Sequence, residues 1–337
     1  ADGTVANPIT FVGPTNSAVA AFVGTGGLSV GFLLTNARNV RVRAITIKGY
    51  TNGLRMISGS TNNEIRGVRA FSNSFVGLYL NASSGDGNRF VSNTLERNNR
   101  GIAIGGGDHN TVTNNFAFNL NDNGIVITSG AASNVVVGNT IRSNINAGIS
   151  LRSNSSIQNR FAGNSLIGSG PVADGILVDA ADRNTFSNNT IRGSTSAGIR
   201  MTNGAGTNAV IANAIGSNAV YGVYIYGGSV DANRVVSNVI DGKNYQNYGV
   251  VIRDGDANLV TNNILRGHTA SGVLLTNTAA SNRVVGNTAN SNDIYGIYVA
   301  GTNADANLIA GNTADGKGFQ DNGIAMTGGD SSVVSNN

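Results

Sequence analysis

The hydrophobic residues of this chain recur in short alternating stretches, each of which opens with a glycine. A period of two residues predicts a β-strand that turns one face to a core and the other to solvent. Successive glycines lie 23, 24 or 27 residues apart, a spacing that predicts a solenoid with one coil per period. The stretches are GLRM at Gly53, GLYL at Gly77, GIAI at Gly101, GIVI at Gly124, GISL at Gly148, GILV at Gly175, GIRM at Gly198, GVYI at Gly222, GVVI at Gly249, GVLL at Gly272, GIYV at Gly296 and GIAM at Gly323.

A second pattern, N-x-[VIF]-x-x-N, lies between these glycines. It adds two more short strand signals to each period, so every coil is expected to hold three strands separated by turns. Asparagine tolerates left-handed backbone angles and its amide both donates and accepts, so the two columns predict asparagine ladders at the corners of the coils. The pairs are Asn88/Asn93, Asn110/Asn115, Asn134/Asn139, Asn159/Asn164, Asn184/Asn189, Asn208/Asn213, Asn233/Asn238, Asn258/Asn263, Asn282/Asn287 and Asn307/Asn312.

These patterns resemble the right-handed parallel β-helix superfamily, which includes pectate lyases, polygalacturonases, alginate epimerases, phage tailspikes and surface proteins with short β-helix repeats. The resemblance covers nearly the whole chain and implies a fold rather than a function. We therefore expect an all-β, single-stranded right-handed parallel β-helix of about 12 or more coils of 23–27 residues. It should form one domain over residues 1–337, with residues 1–38 as the first coil or N-terminal lead-in and residues 39–337 as the regular coils.

Composition narrows the functional classes. The net charge is +4, from scattered arginines rather than a dense basic face, which fits contact with an acidic polymer and argues against nucleic acid. No stretch approaches the roughly 18 apolar residues that a membrane-spanning helix needs. The first residues show no signal peptide, and the chain has no cysteine. The resemblance suggests a bacterial protein, either extracellular or at the cell surface.

The outward positions of the glycine-opened strands carry one unusual group of residues. Arginine gives bidentate contacts to carboxylates and tyrosine offers a flat apolar ring, so this group predicts a face that binds an acidic polysaccharide. A plain preference of tyrosine for exposed strand positions is the alternative explanation. The predicted carbohydrate-binding residues are Arg152, Asp179, Arg200, Tyr221, Tyr224, Tyr226, Tyr248 and Arg253.

Catalysis has weaker support in the sequence. A lyase or epimerase needs a group that neutralises the uronate carboxylate, a base and an acid. Arg200 or Arg152 is the candidate for neutralisation, and Tyr224 or Tyr226 is the candidate for base or acid. Asp179 is a candidate metal ligand or orienting acid. The signatures of polygalacturonases and alginate epimerases are absent. The leading hypothesis is therefore a structural or adhesive surface module that binds polysaccharide. A polysaccharide lyase or uronate epimerase is the second hypothesis, and a phage-type receptor-binding rod is the third.

No metal site or cofactor is expected. His109 and His268 are isolated and are interpreted as solvated turn residues, and the histidines, methionines and cysteines that copper binding requires are scarce. Calcium binding stays an open alternative, although no sequence motif supports it. Self-association stays open, through the coil ends or through an apolar strand face formed by Val91, Val137, Ile211, Val236 and Val285, although an ordinary apolar stripe on a strand face explains these five residues slightly better.

Overall fold

The computed structural model describes residues 2–14, 21–27, 29–81, 85–168, 173–316 and 320–337. The chain divides into two compact units, residues 1–165 and residues 166–337. In the first unit every described element is a short strand, and β20 (Ser165–Ile167) begins at its last residue. The strands before β20 are β1 (Ile9–Val12), β2 (Ala21–Val23), β3 (Val30–Thr35), β4 (Val40–Arg43), β5 (Thr46–Lys48), β6 (Asn52–Ile57), β7 (Glu64–Arg66), β8 (Arg69–Phe71), β9 (Val76–Leu80), β10 (Arg89–Val91), β11 (Thr94–Glu96), β12 (Arg100–Gly105), β13 (Thr111–Thr113), β14 (Phe116–Phe118), β15 (Ile125–Thr128), β16 (Val135–Val137), β17 (Thr140–Arg142), β18 (Ala147–Arg152) and β19 (Arg160–Ala162).

The second unit repeats this organisation. Its strands are β21 (Asp174–Asp179), β22 (Thr185–Ser187), β23 (Thr190–Arg192), β24 (Ala197–Thr202), β25 (Ala209–Ile211), β26 (Ala214–Gly216), β27 (Tyr221–Tyr226), β28 (Arg234–Val236), β29 (Val239–Asp241), β30 (Tyr248–Arg253), β31 (Leu259–Thr261), β32 (Ile264–Arg266), β33 (Ser271–Thr276), β34 (Arg283–Val285), β35 (Thr288–Asn290), β36 (Tyr295–Val299), β37 (Leu308–Ala310), β38 (Asn322–Met326) and β39 (Val333–Ser335).

Within each unit a strand pairs in parallel with the strand three places further along the chain for almost the whole unit, which gives three parallel sheets. The glycine-opened strands form one of them: β3, β6, β9, β12, β15 and β18 in the first unit, and β21, β24, β27, β30, β33, β36 and β38 in the second. The coil is right-handed and the described residues make about 13 turns, which confirms the predicted parallel β-helix. The single domain over residues 1–337 stays a prediction.

The core of each unit consists of apolar columns that run from coil to coil. In the second unit Ile199, Val223 and Val250 occupy matching positions of successive strands and are fully buried. Alternation along each strand produces these columns, because every second side chain of a β-strand points to the same face. The residues between them face outwards, and they form the surfaces on which function has to be built.

The two predicted asparagine ladders are present. In the first ladder Asn110 donates to Asn134 Oδ1 in the first unit, and Asn233 donates to Asn258 Oδ1 in the second. The second ladder is built in the same way. In the first unit the main-chain N–H and the side-chain Nδ2 of Asn93 both donate to Asn115 Oδ1, at 2.9 Å. Asn115 donates in the same way to Asn139, and the second unit repeats the arrangement from Asn213 to Asn238. The amides thus satisfy corner main-chain groups that are buried and would otherwise be unpaired.

The backbone angles at the corners differ in one respect from the expectation that the asparagines themselves are left-handed. The left-handed residue is the one immediately before a ladder asparagine, for example Ser237 (φ 55°) before Asn238, and not the asparagine itself. His109 is such a residue, with φ 55° before the buried Asn110, and it is exposed as predicted.

Gly222 allows a close approach of the next coil and not a left-handed backbone angle. A Cβ atom at this position would lie 2.5 Å from the carbonyl oxygen of Gly249, the corresponding glycine one coil further on. The glycine column is therefore a packing requirement of the stacked coils.

A third ladder precedes the glycine-opened strands and was missed by the sequence analysis. Asn73 donates to Asn98 in the first unit, and Asn218 donates to Gln246 in the second. His268 occupies the next position, where its main-chain N–H donates to Asn292 Oδ1 at 3.2 Å. The interpretation of His268 as a solvated turn residue is wrong, because the side chain is fully buried.

Burial lowers the pKa of His268 to about 4. In the unfolded chain an ordinary histidine takes up a proton near pH 6.5, whereas the folded protein resists protonation until about pH 4. As pH falls through this window the unfolded state binds more protons, so the free energy of unfolding should fall by about 1.4 kcal/mol per pH unit. Urea unfolding at pH 7 and pH 5 measures the difference. His268→Gln should remove this pH-dependent loss of stability, whereas His109→Gln, at an exposed turn, should retain it. An unchanged pH dependence in His268→Gln would contradict the attribution of the loss to His268.

Candidate carbohydrate-binding site

The predicted tyrosines gather on the outward side of β27 and β30 in the second unit. Tyr221 pairs with Tyr248, and Tyr226 pairs with Arg253 on the following coil. We call the group formed by Tyr221, Tyr224, Tyr226, Tyr248 and Arg253 the tyrosine face. Strand alternation places Tyr224, Tyr226 and Arg253 outside the core. Tyr221 and Tyr248 lie just before the strand glycines, and the Tyr221 ring stacks on both Tyr224 and Tyr248. The in-register pairing of the two coils brings these side chains together.

The four rings are nearly parallel. The centroids of Tyr221 and Tyr224 lie 4.2 Å apart at an interplanar angle of 15°, and Tyr224 and Tyr226 are 5.5 Å apart at 18°. Tyr248 continues the set at 5.8 Å from Tyr221. The Arg253 guanidinium lies 5.4 Å from the centre of the Tyr226 ring, within the range of a cation–π contact. The result is a rigid aromatic row that ends on a cation.

A cavity of about 290 Å³ opens beside this row. Its apolar wall comes from Val251 and Leu274, which pack with Tyr224 in one cluster. The polar groups at its edge belong to Arg253, Thr276 and Asn277. Aromatic rings combined with a few polar groups are typical of a small-ligand site, and the volume lies at the lower end of the range for such sites.

Arg200 is directed to a different partner. Its Nη2 lies 3.1 Å from Oδ1 of Asp174, a carboxylate whose side chain is only 5% exposed, and it also donates to the Ser196 hydroxyl. Asp174 further accepts the N–H of Ala197 at 3.2 Å. Burial raises the pKa of Asp174, and the Arg200 guanidinium opposes that rise.

Asp174 was missed by the sequence analysis, although a signal for it existed. It is the residue before Gly175, and the same position before Gly222 and Gly249 holds Tyr221 and Tyr248. In the structure Asp174 pairs with Ala197, which pairs with Tyr221, so the carboxylate belongs to the same column as Tyr221.

Besides Arg200, two further predicted residues do not join the tyrosine face. Asp179 accepts a hydrogen bond from Asn203 Nδ2 at 2.7 Å, and it shares a column with Tyr226 but lies two coils earlier. Arg152 belongs to the first unit, where its Nε donates to the Ser150 hydroxyl at 2.9 Å. Their roles in binding stay predictions.

The phenol of Tyr224 has a shifted pKa. Burial raises its pKa above the usual value, with a further rise from Tyr221, while the Arg253 guanidinium lowers it in part. A raised pKa keeps the hydroxyl protonated at neutral pH, so Tyr224 is suited to donating a hydrogen bond rather than to abstracting a proton.

Comparisons with known proteins agree with the fold. A family model described as "Right handed beta helix region" matches residues 174–337, and one described as "Periplasmic copper-binding protein (NosD)" matches residues 23–174. A mutant of the periplasmic alginate epimerase AlgG aligns with 90% of this chain and 78% of its own, at 14% identity and a TM-score of 0.55. DFA-IIIase from Arthrobacter chlorophenolicus A6 aligns with 72% of this chain and 69% of its own, at 13% identity and a TM-score of 0.55. A search of curated proteins finds no match. At these identities the likeness to the solved structures shows the fold alone.

The segment matched by the NosD model does not fit a copper site. Its one histidine is His109, an exposed turn residue, and its one methionine is Met56, which is fully buried in the core. Among the described residues, no group of three or more His, Cys, Asp or Glu could hold a metal ion. The part of the chain that the structure describes also has no helix long and apolar enough to span a membrane.

The ion pair between Arg200 and Asp174 should be structural. Arg200→Ala leaves a carboxylate buried without its cation, and we expect a loss of about 2 kcal/mol in the free energy of unfolding, between the values for exposed and buried pairs. Adding Asp174→Asn should recover most of the loss, because the unpaired charge is removed. Arg253→Ala is the control, since its side chain is 47% exposed and lies 3.8 Å from Asp254, and it should change stability by less than about 0.5 kcal/mol. Equal losses in the two single variants would contradict this role.

Proposed function

We propose that this chain, whose fold is a right-handed parallel β-helix, is a secreted or cell-surface module that binds a polysaccharide on its tyrosine face. The observation that carries the proposal is the row of four nearly parallel tyrosine rings beside a cavity that Arg253 borders. Aromatic rings give the C–H face of a sugar an apolar surface, and phenol hydroxyls supply hydrogen bonds at its edge.

An acidic sugar suits the site best. Arg253 interacts with the Tyr224 hydroxyl and lies 3.8 Å from the carboxylate of Asp254. Because a guanidinium has five N–H donors, the exposed Arg253 keeps donors for a ligand. Arginine forms paired hydrogen bonds with a carboxylate, a geometry that a uronate group could accept. The rigid rings cost little side-chain entropy on binding, because stacking already restricts them.

A lyase or epimerase that acts on a uronate polymer is the alternative, but the candidate catalytic residues are engaged in other ways. Arg200 pairs with Asp174, Asp179 accepts from Asn203, and the raised pKa of Tyr224 disfavours its use as a base. The alginate epimerase AlgG and DFA-IIIase share the fold at low identity. We therefore favour binding over turnover.

A location outside the cytoplasm fits this proposal. The NosD family description and the alginate epimerase AlgG both name periplasmic proteins. Polysaccharides with uronate groups lie in the same surroundings, where a protein without cysteine is indifferent to oxidation.

Isothermal titration with pectate and alginate fragments tests the site. Tyr248→Ala removes a ring from the row and should weaken binding about five- to tenfold. Tyr245→Ala is the matched control, because Tyr245 lies three residues away and is 63% exposed, outside the tyrosine face. Equal affinities for Tyr248→Ala and the unmodified protein would contradict the proposal. Release of an unsaturated, ultraviolet-absorbing product that Tyr224→Phe abolishes would establish the lyase instead.

A further inference from the structure

The two units differ in charge. Residues 1–165 contain thirteen Lys and Arg against six Asp and Glu, a net charge of +7, whereas residues 166–337 contain nine against twelve, a net charge of −3. The net charge of the whole chain is only +4 because the acidic second unit offsets the basic first unit. A charge imbalance of this size points to an anionic partner for that unit, which the tyrosine face of the second unit does not explain.

The basic residues are concentrated on the outward side of β4, β7 and β10. Arg41 pairs with Glu64, and Glu64 pairs with Arg89, so these three form one column. Arg43 and Arg66 pair in the adjacent outward column. We call Arg41, Arg43, Arg66 and Arg89 the arginine cluster. Because successive coils lie about 4.8 Å apart, four guanidinium groups share a small area.

One carboxylate stands at the centre of this cluster. Glu64 accepts from Arg43 at 2.8 Å, and its oxygens lie 3.3 Å from Arg89 and 3.7 Å from Arg66. Burial raises the pKa of Glu64, but the surrounding arginines outweigh it and hold the pKa below the usual value. Glu64 therefore stays ionised, and its single charge leaves three of the four positive charges uncompensated.

A cavity of about 310 Å³ adjoins the cluster. Its lining has a charged part, which consists of Arg41, Arg89 and Glu64, and a neutral polar part, which includes Asn39, Asn62 and Thr4. Amides and hydroxyl groups recognise neutral hydroxyls, and arginines recognise anions. A ligand that matches both parts carries hydroxyl groups together with an acidic group.

We propose that the arginine cluster and its cavity bind the acidic units of a polysaccharide, with the carboxylate or sulfate on Arg41 and Arg89 and the sugar hydroxyls on the asparagines. A nucleic acid is the less suitable partner, because its phosphates would use the arginines but leave the neutral part of the cavity without a role. This site is separate from the tyrosine face in sequence and in chemistry, so either can exist without the other.

Titration of the full chain with heparin and with oligogalacturonate, at low and high salt, tests the site. The double variant Arg41→Ala/Arg89→Ala should lower the affinity at least about tenfold at low salt. Glu64→Gln should raise it several-fold, since it removes the carboxylate that competes with the ligand. Arg160→Ala is the matched control, because Arg160 occupies the same outward column three coils beyond Arg89 and should have no effect.

Salt separates this site from the tyrosine face. Binding through the arginine cluster should weaken steeply between 0.05 and 0.5 M salt, on the order of tenfold or more, whereas binding to the tyrosine face, which combines ring stacking with the single Arg253, should weaken less. Circular dichroism checks that each variant is folded. The proposal is overturned if Arg160→Ala weakens heparin binding as much as the double variant, or if Glu64→Gln lowers the affinity. Tighter binding of single-stranded DNA of equal charge, with the same pattern among the variants, would assign the site to nucleic acid.

Discussion

The fold depends on parallel pairing of each coil with the next one in fixed register. Main-chain hydrogen bonds supply the pairing, and the corner asparagines satisfy buried N–H and C=O groups that the strands leave unpaired. A ladder asparagine such as Asn115 takes part in hydrogen bonds to both neighbouring coils. Removing one amide would leave several buried groups without partners, each costing about 1–3 kcal/mol, so the ladders hold the register more strictly than apolar packing alone.

Fixed register explains how the two candidate surfaces arise. Residues at equal positions of successive coils form columns, so Tyr221 meets Tyr248 and Glu64 meets both Arg41 and Arg89. The main chain is already ordered, and a column of rings or guanidinium groups therefore needs little further ordering to bind a ligand. A repeating surface suits a repeating polymer, and the unequal charges of the two units would let them prefer different parts of it.

Much of the fold followed from the sequence because glycine and asparagine recur at constant spacing. The third ladder escaped notice because its positions hold Asn218, Gln246 and His268, which share a place in the coil but not a residue type. Asp174 was overlooked for a similar reason, since the residues that drew attention to its column were the tyrosines Tyr221 and Tyr248. The pairing of Arg200 with Asp174 and the packing of Tyr224 against Val251 depend on side-chain conformations that periodicity does not encode.

The central claim is that the tyrosine face is the surface on which the polysaccharide lies. Fluorine NMR of the protein labelled with fluorotyrosine resolves this directly, with the nine tyrosine signals assigned by single Tyr→Phe variants. Saturation with an oligogalacturonate that binds should shift the signals of Tyr221, Tyr224 and Tyr248 while the signal of Tyr245 stays in place. Binding that leaves those three signals unchanged would contradict the account.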